Sequence, residues 1–361
     1  MRGLSLAHRI AILTPFRQSA RLGGVEVFCD QIQDALGPAS VFAAVESPLP
    51  ASNLLARFGL LDPARAAIGA KDFYGVHAKE PFDLVLTNGL FGWPLRFRRP
   101  DVPMIQVYHF TLAALARTAL PARGDLLTTA RVGAWFDRSS GFGKHVVAVS
   151  ESVRQEVSEY YGHRASVIPN SVDANLFHRI DRGAARSRLG LPLNRTMGLF
   201  VGRTEFAKGF DILTDIARSF KEILFLSVSH PAATSENIRF FTDVEHRNMP
   251  LLYSAADFFL CPSRYEGFGL SVLEALACET PALVSRPAYP FGDELPKLAT
   301  VVDETTAEAF GKAIRQMLEE GPRSSVRARI VERYSSEVFR DNWRDYVTRV
   351  IDSEASRGLG H

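Results

Sequence analysis

Short apolar runs separated by polar loops rich in glycine and proline dominate the hydrophobic pattern of the chain. Runs of this length predict buried strands, and they lie at residues 10–14, 40–45, 83–87, 103–108, 145–149, 166–168, 197–201, 222–228, 237–241 and 257–261. Helical spacing of apolar residues follows most of them, including residues 25–36, 249–256, 270–278, 306–318 and 337–351. This alternation predicts parallel sheets covered by helices on both faces, with ligands at the carboxyl ends of the strands.

Length and composition limit the class of protein. A chain of 361 residues, 46% of them hydrophobic, is long enough for two domains with their own cores. The net charge of +2 gives no global argument for nucleic acid as a partner. The three cysteines, Cys29, Cys261 and Cys278, lack C-x-x-C spacing and lie in apolar contexts, which predicts buried thiols in a reducing cytoplasm and no metal site. No apolar run approaches the roughly 18 residues that span a bilayer.

A strand, a glycine turn and a helix follow one another between residues 257 and 278. Gly267 and Gly269 permit close approach of a ligand to the backbone, and we expect unpaired N–H groups at Leu270, Ser271 and Val272. A helix N-terminus of this kind suits a phosphate.

Two glutamates flank this expected phosphate site. Glu266 lies in the turn and Glu274 lies about one helical turn inside the helix. Carboxylates accept hydrogen bonds from hydroxyl groups. The pair therefore indicates a ligand with hydroxyl-rich groups on both sides of its phosphates, which is the layout of a nucleoside diphosphate sugar.

Another strand-to-helix turn, at residues 202–209, contains two cations. Arg203 offers a planar fork and Lys208 a mobile point charge, a combination suited to a diphosphate. Solvated surface cations are the alternative, but their position beside a strand-to-helix turn favours phosphate binding.

Several of these segments resemble one family. The stretch from Glu266 to Glu274, EGFGLSVLE, resembles the E-x7-E signature of retaining glycosyltransferases of the GT-B fold, family four in particular. Residues 202–209 resemble its G-R-x4-K-G segment, and residues 23–26, GGVE, its GG-x-E segment. Residues 167–173 resemble its I-P-N-G-V-D segment, with Ser171 in place of glycine, where we expect Asn170 or Asp173 to build the turn.

The resemblance implies an α/β protein of the GT-B fold, with two Rossmann-like parallel-sheet domains facing each other across a cleft. Residues 1–180 would bind the acceptor, with the helix at 337–351 packing back on them, and residues 190–335 would bind the nucleotide sugar. The catalytic residues implied are Glu266, His109, Arg203 and Lys208. The donor would contact Gly23, Gly24, Arg203, Lys208, Val244, Glu266, Phe268, Gly269, Leu270, Ser271 and Glu274.

The same resemblance implies transfer of a hexose-type sugar, with retention at the anomeric carbon, to a hydroxyl of a glycan, lipid-linked or small-molecule acceptor. Whether Glu266 acts as a nucleophile or only binds sugar hydroxyls stays open. The segment at 229–235 departs from the family's glycine-rich turn, so the base, expected beside residues 242–244, is not specified. A nucleotide-sugar epimerase of the same fold and a non-catalytic nucleotide-sugar-binding subunit are the alternatives.

Two further expectations concern metal and membrane. No aspartates occur in D-x-D spacing, so we expect no cofactor and no divalent cation, with protein cations and helix ends doing the metal's work. Arg96, Arg98 and Arg99, with Trp93 nearby, make the first half locally basic and partly aromatic. This pattern is compatible with peripheral contact at the inner face of a membrane, where a lipid-linked acceptor would lie, and equally with a solvated face.

Overall fold

The computed structural model describes residues 8–15, 24–37, 39–43, 60–119, 124–231, 235–292, 298–320 and 326–358. The chain forms two compact units. Unit 1 comprises Met1–Asn170 and Glu337–His361, and unit 2 comprises Ser171–Ser336. Each unit contains a six-stranded sheet in which every pairing is parallel. The predicted α/β class is therefore confirmed.

The sheet of unit 1 has the strand order β2-β1-β3-β4-β5-β6. In chain order its strands are Ile10–Thr14, Ala39–Ala43, Leu84–Asn88, Met104–Tyr108, His145–Ala148 and Ser166–Val167. The residues of β1, β3 and β4 are buried throughout, which explains why they are continuous apolar runs rather than alternating ones. The strand order reverses between β1 and β3, so the switch point of this sheet lies at the carboxyl ends of these two strands.

Helices and shorter helical turns connect these strands. The helices of unit 1 are α1 (Gly24–Leu36), α2 (Leu61–His77), α3 (Leu112–Thr118), α4 (Gly124–Ser140), α5 (Glu151–Glu156) and the last helix, α12 (Ser336–Gly358), with a 3₁₀ segment at Gly89–Arg96 and a π turn at Val157–Tyr161. Ser150 caps α5, because its hydroxyl accepts from the Val153 amide. The aromatic stripe of α12 is core: Phe339 and Trp343 pack edge-on against Phe28.

The sheet of unit 2 has the order β12-β11-β10-β7-β8-β9. Its strands are Met197–Val201, Leu224–Val228, Ile238–Phe241, Phe258–Cys261, Ala282–Ser285 and Thr300–Val302. This is the dinucleotide-fold order, in which the chain reverses direction between β7 and β10. The loops that follow these two paired strands therefore flank the switch point, where open α/β sheets bind ligands.

Six helices are described in unit 2. They are α6 (Arg182–Arg188), α7 (Phe210–Ser219), α8 (Met249–Ala255), α9 (Leu270–Ala277), α10 (Ala307–Glu320) and α11 (Arg327–Tyr334). A cluster of buried aromatic and aliphatic side chains, including Phe225, Phe258 and Phe310, fills the space between the sheet and helices α7 and α10. No helix links β8 to β9 in the described residues 229–231 and 235–237, in line with the departure seen in the sequence.

Helix α6 was not predicted. Residues 181–194 have the composition of a linker, yet Asp181 caps a helix by accepting from the Ala184 amide. Buried Arg186 then donates to the carboxylate of Asp257, which also pairs with Arg182. These arginines fix the helix to the start of β10, an interaction between distant residues that has no local sequence signal.

Candidate active site

Two turns meet at the switch point of unit 2. One follows β7 and runs to Gly209, and the other follows β10 and runs to Gly269. Gly209 has φ +70°, and a Cβ built on it would lie 2.1 Å from the carbonyl oxygen of Pro262. Arg264 ties the turns further, because its amide donates to the Ala207 carbonyl at 2.8 Å. The backbone therefore holds the two turns in direct contact.

This contact brings Lys208 and Glu266 together. The Lys208 ammonium donates a 2.6 Å hydrogen bond to Glu266 Oε1, which also accepts from the Ser263 hydroxyl at 3.0 Å. Burial opposes the charge on Lys208, but the adjacent carboxylate of Glu266 outweighs this and raises the pKa of the lysine. Lys208 is therefore a cation, and Glu266 Oε2 has no hydrogen-bond partner within the described part of the chain.

Arg203 lies in the same turn but is not drawn into this pair. Its side chain is 75% exposed and forms a 3.1 Å ion pair with Glu205. The sequence placed two cations at this turn, and the structure has one partly buried and one exposed. The Arg203 guanidinium is close enough for its charge to oppose protonation of Lys208.

The helix expected to point at a phosphate is α9. Gly269 precedes it with φ +73°. The amides of Leu270 and Ser271 have no acceptor among the residues that the structure describes, as expected. The expectation for Val272 is wrong: its amide donates to the Gly269 carbonyl at 2.9 Å, because the first turn of the helix tightens to a 3₁₀ bond. Phe268 is buried and its ring packs toward Tyr334.

Glu274 lies in α9 and is 8% exposed. Its Oε1 is 3.0 Å from His246 Nε2, and its Oε2 accepts a 2.7 Å hydrogen bond from the Tyr253 hydroxyl. Val244, two residues before His246, is half-buried in the loop that follows β9. Asp243 in this loop adopts φ +53°, which is uncommon for a residue other than glycine.

The predicted site residues of unit 1 lie on other elements. Gly23 lies outside the described residues, and Gly24 is the first residue of α1. His109 directly follows β4, with its Nε2 2.9 Å from Asn88 Oδ1 and its ring edge-on to Phe28. Burial lowers the pKa of His109 to about 3. The imidazole is therefore neutral near pH 7 and offers a hydrogen bond rather than a proton.

Sequence reasoning missed Ser263, His246 and Tyr253, whose side chains hold the two glutamates. Ser263 has a local signal, since it lies just after β10 and three residues before Glu266. His246 and Tyr253 have none, because both reach Glu274 from outside its own element. Asp173 was predicted correctly: its carboxylate accepts from the amides of Asn175 and Leu176 in an Asx turn.

Cys29, Cys261 and Cys278 are buried and unbridged, as predicted, and burial raises the pKa of Cys261 to about 12. The described residues contain no cluster of three or more His, Cys, Asp or Glu that could hold a metal ion. Within the same residues, no helix has the length and apolar character needed to cross a membrane.

Two models of known protein families match the chain. Residues 17–176 match the model of "Glycosyltransferase Family 4", and residues 227–334 match that of "Glycosyl transferases group 1". The chain belongs to these glycosyltransferase families. The resemblance drawn from the residues 266–274 is thus confirmed.

A curated relative and two solved structures give the range of similarity. The D-inositol 3-phosphate glycosyltransferase of Mycobacterium tuberculosis is 28% identical over 309 residues, 77% of this chain and 63% of the relative. The chain therefore spans less than two thirds of that relative's length. Sucrose-phosphate synthase from Thermosynechococcus elongatus has TM-score 0.79 at 18% identity, covering 96% of this chain and all of that one. Anabaena HepE in complex with UDP and glucose has TM-score 0.72 at 18% identity, and the match covers 95% of this chain and 100% of HepE. These neighbours show that the glycosyltransferase has the GT-B fold.

Proposed function

We propose that this glycosyltransferase moves a sugar from a nucleoside diphosphate sugar to a hydroxyl acceptor. The observation that carries the proposal is the Lys208–Glu266 pair at the switch point of unit 2. Beside it, at the start of the neighbouring helix, the amides of Leu270 and Ser271 have no acceptor in the described part of the chain. A cation and two amide donors suit a diphosphate, and a carboxylate with one oxygen unengaged suits a sugar hydroxyl.

In this proposal the leaving diphosphate takes the charge that develops as the glycosidic bond to phosphate breaks. Lys208 has two further N–H donors besides the one that binds Glu266, and exposed Arg203 is able to swing from Glu205 toward an anion. Both cations would stabilise the departing oxygen, together with the amides of Leu270 and Ser271. Glu266 would bind hydroxyls of the transferred sugar. Glu274 would bind the ribose of the nucleotide, and the loop at Val244 would contact its base.

The remaining roles are those that the family resemblance implies for residues of unit 1. Neutral His109 would donate or accept one hydrogen bond beside the donor sugar, and Gly23 and Gly24 would allow close backbone approach. Transfer without a divalent cation belongs to the same proposal, because Lys208 and helix amides supply the positive charge. Retention at the anomeric carbon belongs to it as well, as the resemblance to retaining enzymes implies. A membrane-surface acceptor fits exposed Phe97 and Trp135, which lie among arginines.

The comparisons support transfer rather than epimerisation, because the family models and the relative's name describe glycosyltransferases. HepE, which shares the fold, was solved with UDP and glucose, which supports a nucleoside diphosphate sugar as the donor class.

The test is a donor screen. The protein is incubated with UDP-, ADP- and GDP-sugars, with and without a mixture of glycan and lipid-linked acceptors, and released nucleoside diphosphate is measured. Release that increases with acceptor supports the proposal. Interconversion of the free donor sugar would indicate an epimerase, and nucleotide binding without turnover of any donor would indicate a non-catalytic subunit.

A further inference from the structure

Both oxygens of the Glu274 carboxylate are held by side chains from outside its helix. His246, in the 3₁₀ turn His246–Asn248, lies 3.0 Å from Oε1, and Tyr253 of α8 donates to Oε2 at 2.7 Å. Since an ionised carboxylate only accepts, His246 Nε2 carries the proton of this hydrogen bond. Two donors on two oxygens fix both the position and the rotation of the carboxylate plane.

The two donors are themselves held by packing. Tyr253 is fully buried, and its ring is edge-on to Phe259 at 5.7 Å. The ring of Phe177 lies 5.0 Å from that of His246 and 6.1 Å from that of Tyr253, so one buried phenylalanine contacts both donors. Burial, and then the charge of Glu274, raise the pKa of Tyr253 well above its usual value. The tyrosine therefore remains a hydrogen-bond donor throughout the working pH range.

Packing of the fold alone does not require a hydrogen-bonded carboxylate at position 274. A glutamate that served only packing would be replaced by an apolar residue at lower cost, because burying a carboxylate is expensive unless its hydrogen bonds are made. Each carboxylate oxygen can accept two hydrogen bonds, and among the residues that the structure describes each oxygen of Glu274 accepts one. One acceptor position per oxygen is left, which matches two adjacent hydroxyls such as those of a ribose.

We propose that Tyr253 and His246 are positioning residues that hold Glu274 ready to accept the two ribose hydroxyls, so that the site selects ribonucleotides over deoxyribonucleotides. The inference rests on the proposed function, since it assumes that Glu274 faces the ribose of the donor. It assigns specificity for the sugar of the nucleotide to Glu274, Tyr253 and His246 together rather than to the glutamate alone.

Isothermal titration of the full chain with UDP, ADP, their 2′-deoxy forms and inorganic pyrophosphate tests this. For the nucleotide whose base fits, the wild type should bind the ribo form at least about tenfold more tightly than the deoxy form, the size expected for hydrogen bonds to a charged group. Tyr253→Phe and His246→Leu should each remove most of this ratio by weakening the ribo form, while affinity for pyrophosphate stays unchanged.

Two matched variants serve as controls. Tyr74→Phe also deletes a buried hydroxyl, but one with no partner in the described residues, and should keep the wild-type ratio. His246→Gln keeps an N–H donor at similar reach and should restore much of the ratio lost in His246→Leu.

The outcomes separate the two proposals. An unchanged ratio in folded Tyr253→Phe and His246→Leu overturns the positioning role and leaves the proposed function standing. Wild-type protein that binds neither nucleoside diphosphate nor pyrophosphate overturns the proposed function itself. If Tyr253→Phe does not fold, the His246→Leu and His246→Gln pair decides the matter.

Discussion

Lys208 donates a 2.6 Å hydrogen bond to Glu266 across two turns that follow the neighbouring strands β7 and β10. The pair places a cation and a hydrogen-bond acceptor side by side at the switch point of the sheet. In the proposed reaction they face different parts of one donor: the cation faces the diphosphate, and the carboxylate faces the sugar.

Removal of the cation should therefore affect chemistry more than folding. Lys208→Ala should lower kcat about 10²- to 10³-fold, the usual cost of losing one preorganised donor to a developing negative charge. Steady-state kinetics with a saturating donor measure this, and Lys312→Ala, an exposed lysine of α10, is the matched control. Wild-type kcat in Lys208→Ala would remove the cation from the mechanism.

Activity should persist in a chelator. In the proposed reaction Lys208, Arg203 and two helix amides stabilise the negative charge of the leaving diphosphate, so no metal ion is needed. An excess of EDTA, roughly 5 mM, should therefore leave turnover within about twofold of the untreated rate. Protein dialysed against EDTA is compared with protein resupplied with Mg²⁺ or Mn²⁺. Loss of turnover that either metal restores would show that a divalent cation takes part.

The contact between the two site turns depends on glycine at position 209, which has no side chain. Gly209 and Gly190 both have positive φ, +70° and +61°. A Cβ at Gly209 would lie 2.1 Å from the Pro262 carbonyl oxygen, whereas one at Gly190 would have no described atom within 4 Å. Gly190→Ala should cost about 1 kcal/mol for the backbone conformation alone. Gly209→Ala should cost clearly more, because the two turns must separate. Urea midpoints measure both variants, and equal losses would contradict the steric argument.

The strands and the site turns were predictable because their signals are local. The apolar runs at 10–14 and 197–201 coincide with β1 and β7, and the turns that carry Gly209 and Gly269 were visible from glycine beside a strand end. β11 and β12 were not assigned, since short strands at 282–285 and 300–302 lie close to loops and give little periodicity.

The contacts that tune the site were not predictable. Whether Arg203 joins Lys208 or pairs with Glu205 depends on rotamers, and sequence spacing does not determine them. The His246–Glu274–Tyr253 triad joins three segments of unit 2, so no single stretch of sequence contains it. Even the Val272 amide was misassigned, because a tightened first helical turn cannot be told from an open one by residue type.

Neutral His109 should make unit 1 sensitive to acid. Burial lowers the pKa of His109 to about 3, while an unfolded histidine has a pKa of about 6.5. Below pH 6.5 the unfolded chain therefore binds the proton first, and stability should fall as pH drops toward 4, by up to about 3 kcal/mol. His109→Gln should flatten this part of the pH profile in urea titrations, whereas exposed His178→Gln should not. The same slope in both variants would place the acid sensitivity elsewhere.

Asp137 should give the opposite dependence. This carboxyl is buried, and burial raises its pKa to about 7 even though the Tyr161 hydroxyl donates to it at 2.6 Å and the Leu112 amide at 3.2 Å. Between pH 4 and 7 the folded chain holds a proton that the unfolded chain has lost, so this group's contribution to stability should fall as pH rises through that window and level off above it. The full effect is at most about 4 kcal/mol.

Asp137→Asn tests this because it keeps an acceptor for Tyr161 and cannot ionise. The variant should lose the decline in urea midpoint between pH 5 and 8, and should gain stability relative to the wild type above pH 7. Asp341→Asn, on an exposed part of α12, should retain the wild-type decline. A decline of unchanged size in Asp137→Asn would mean that Asp137 is already ionised in the folded protein, stabilised by its two donors strongly enough to offset its burial.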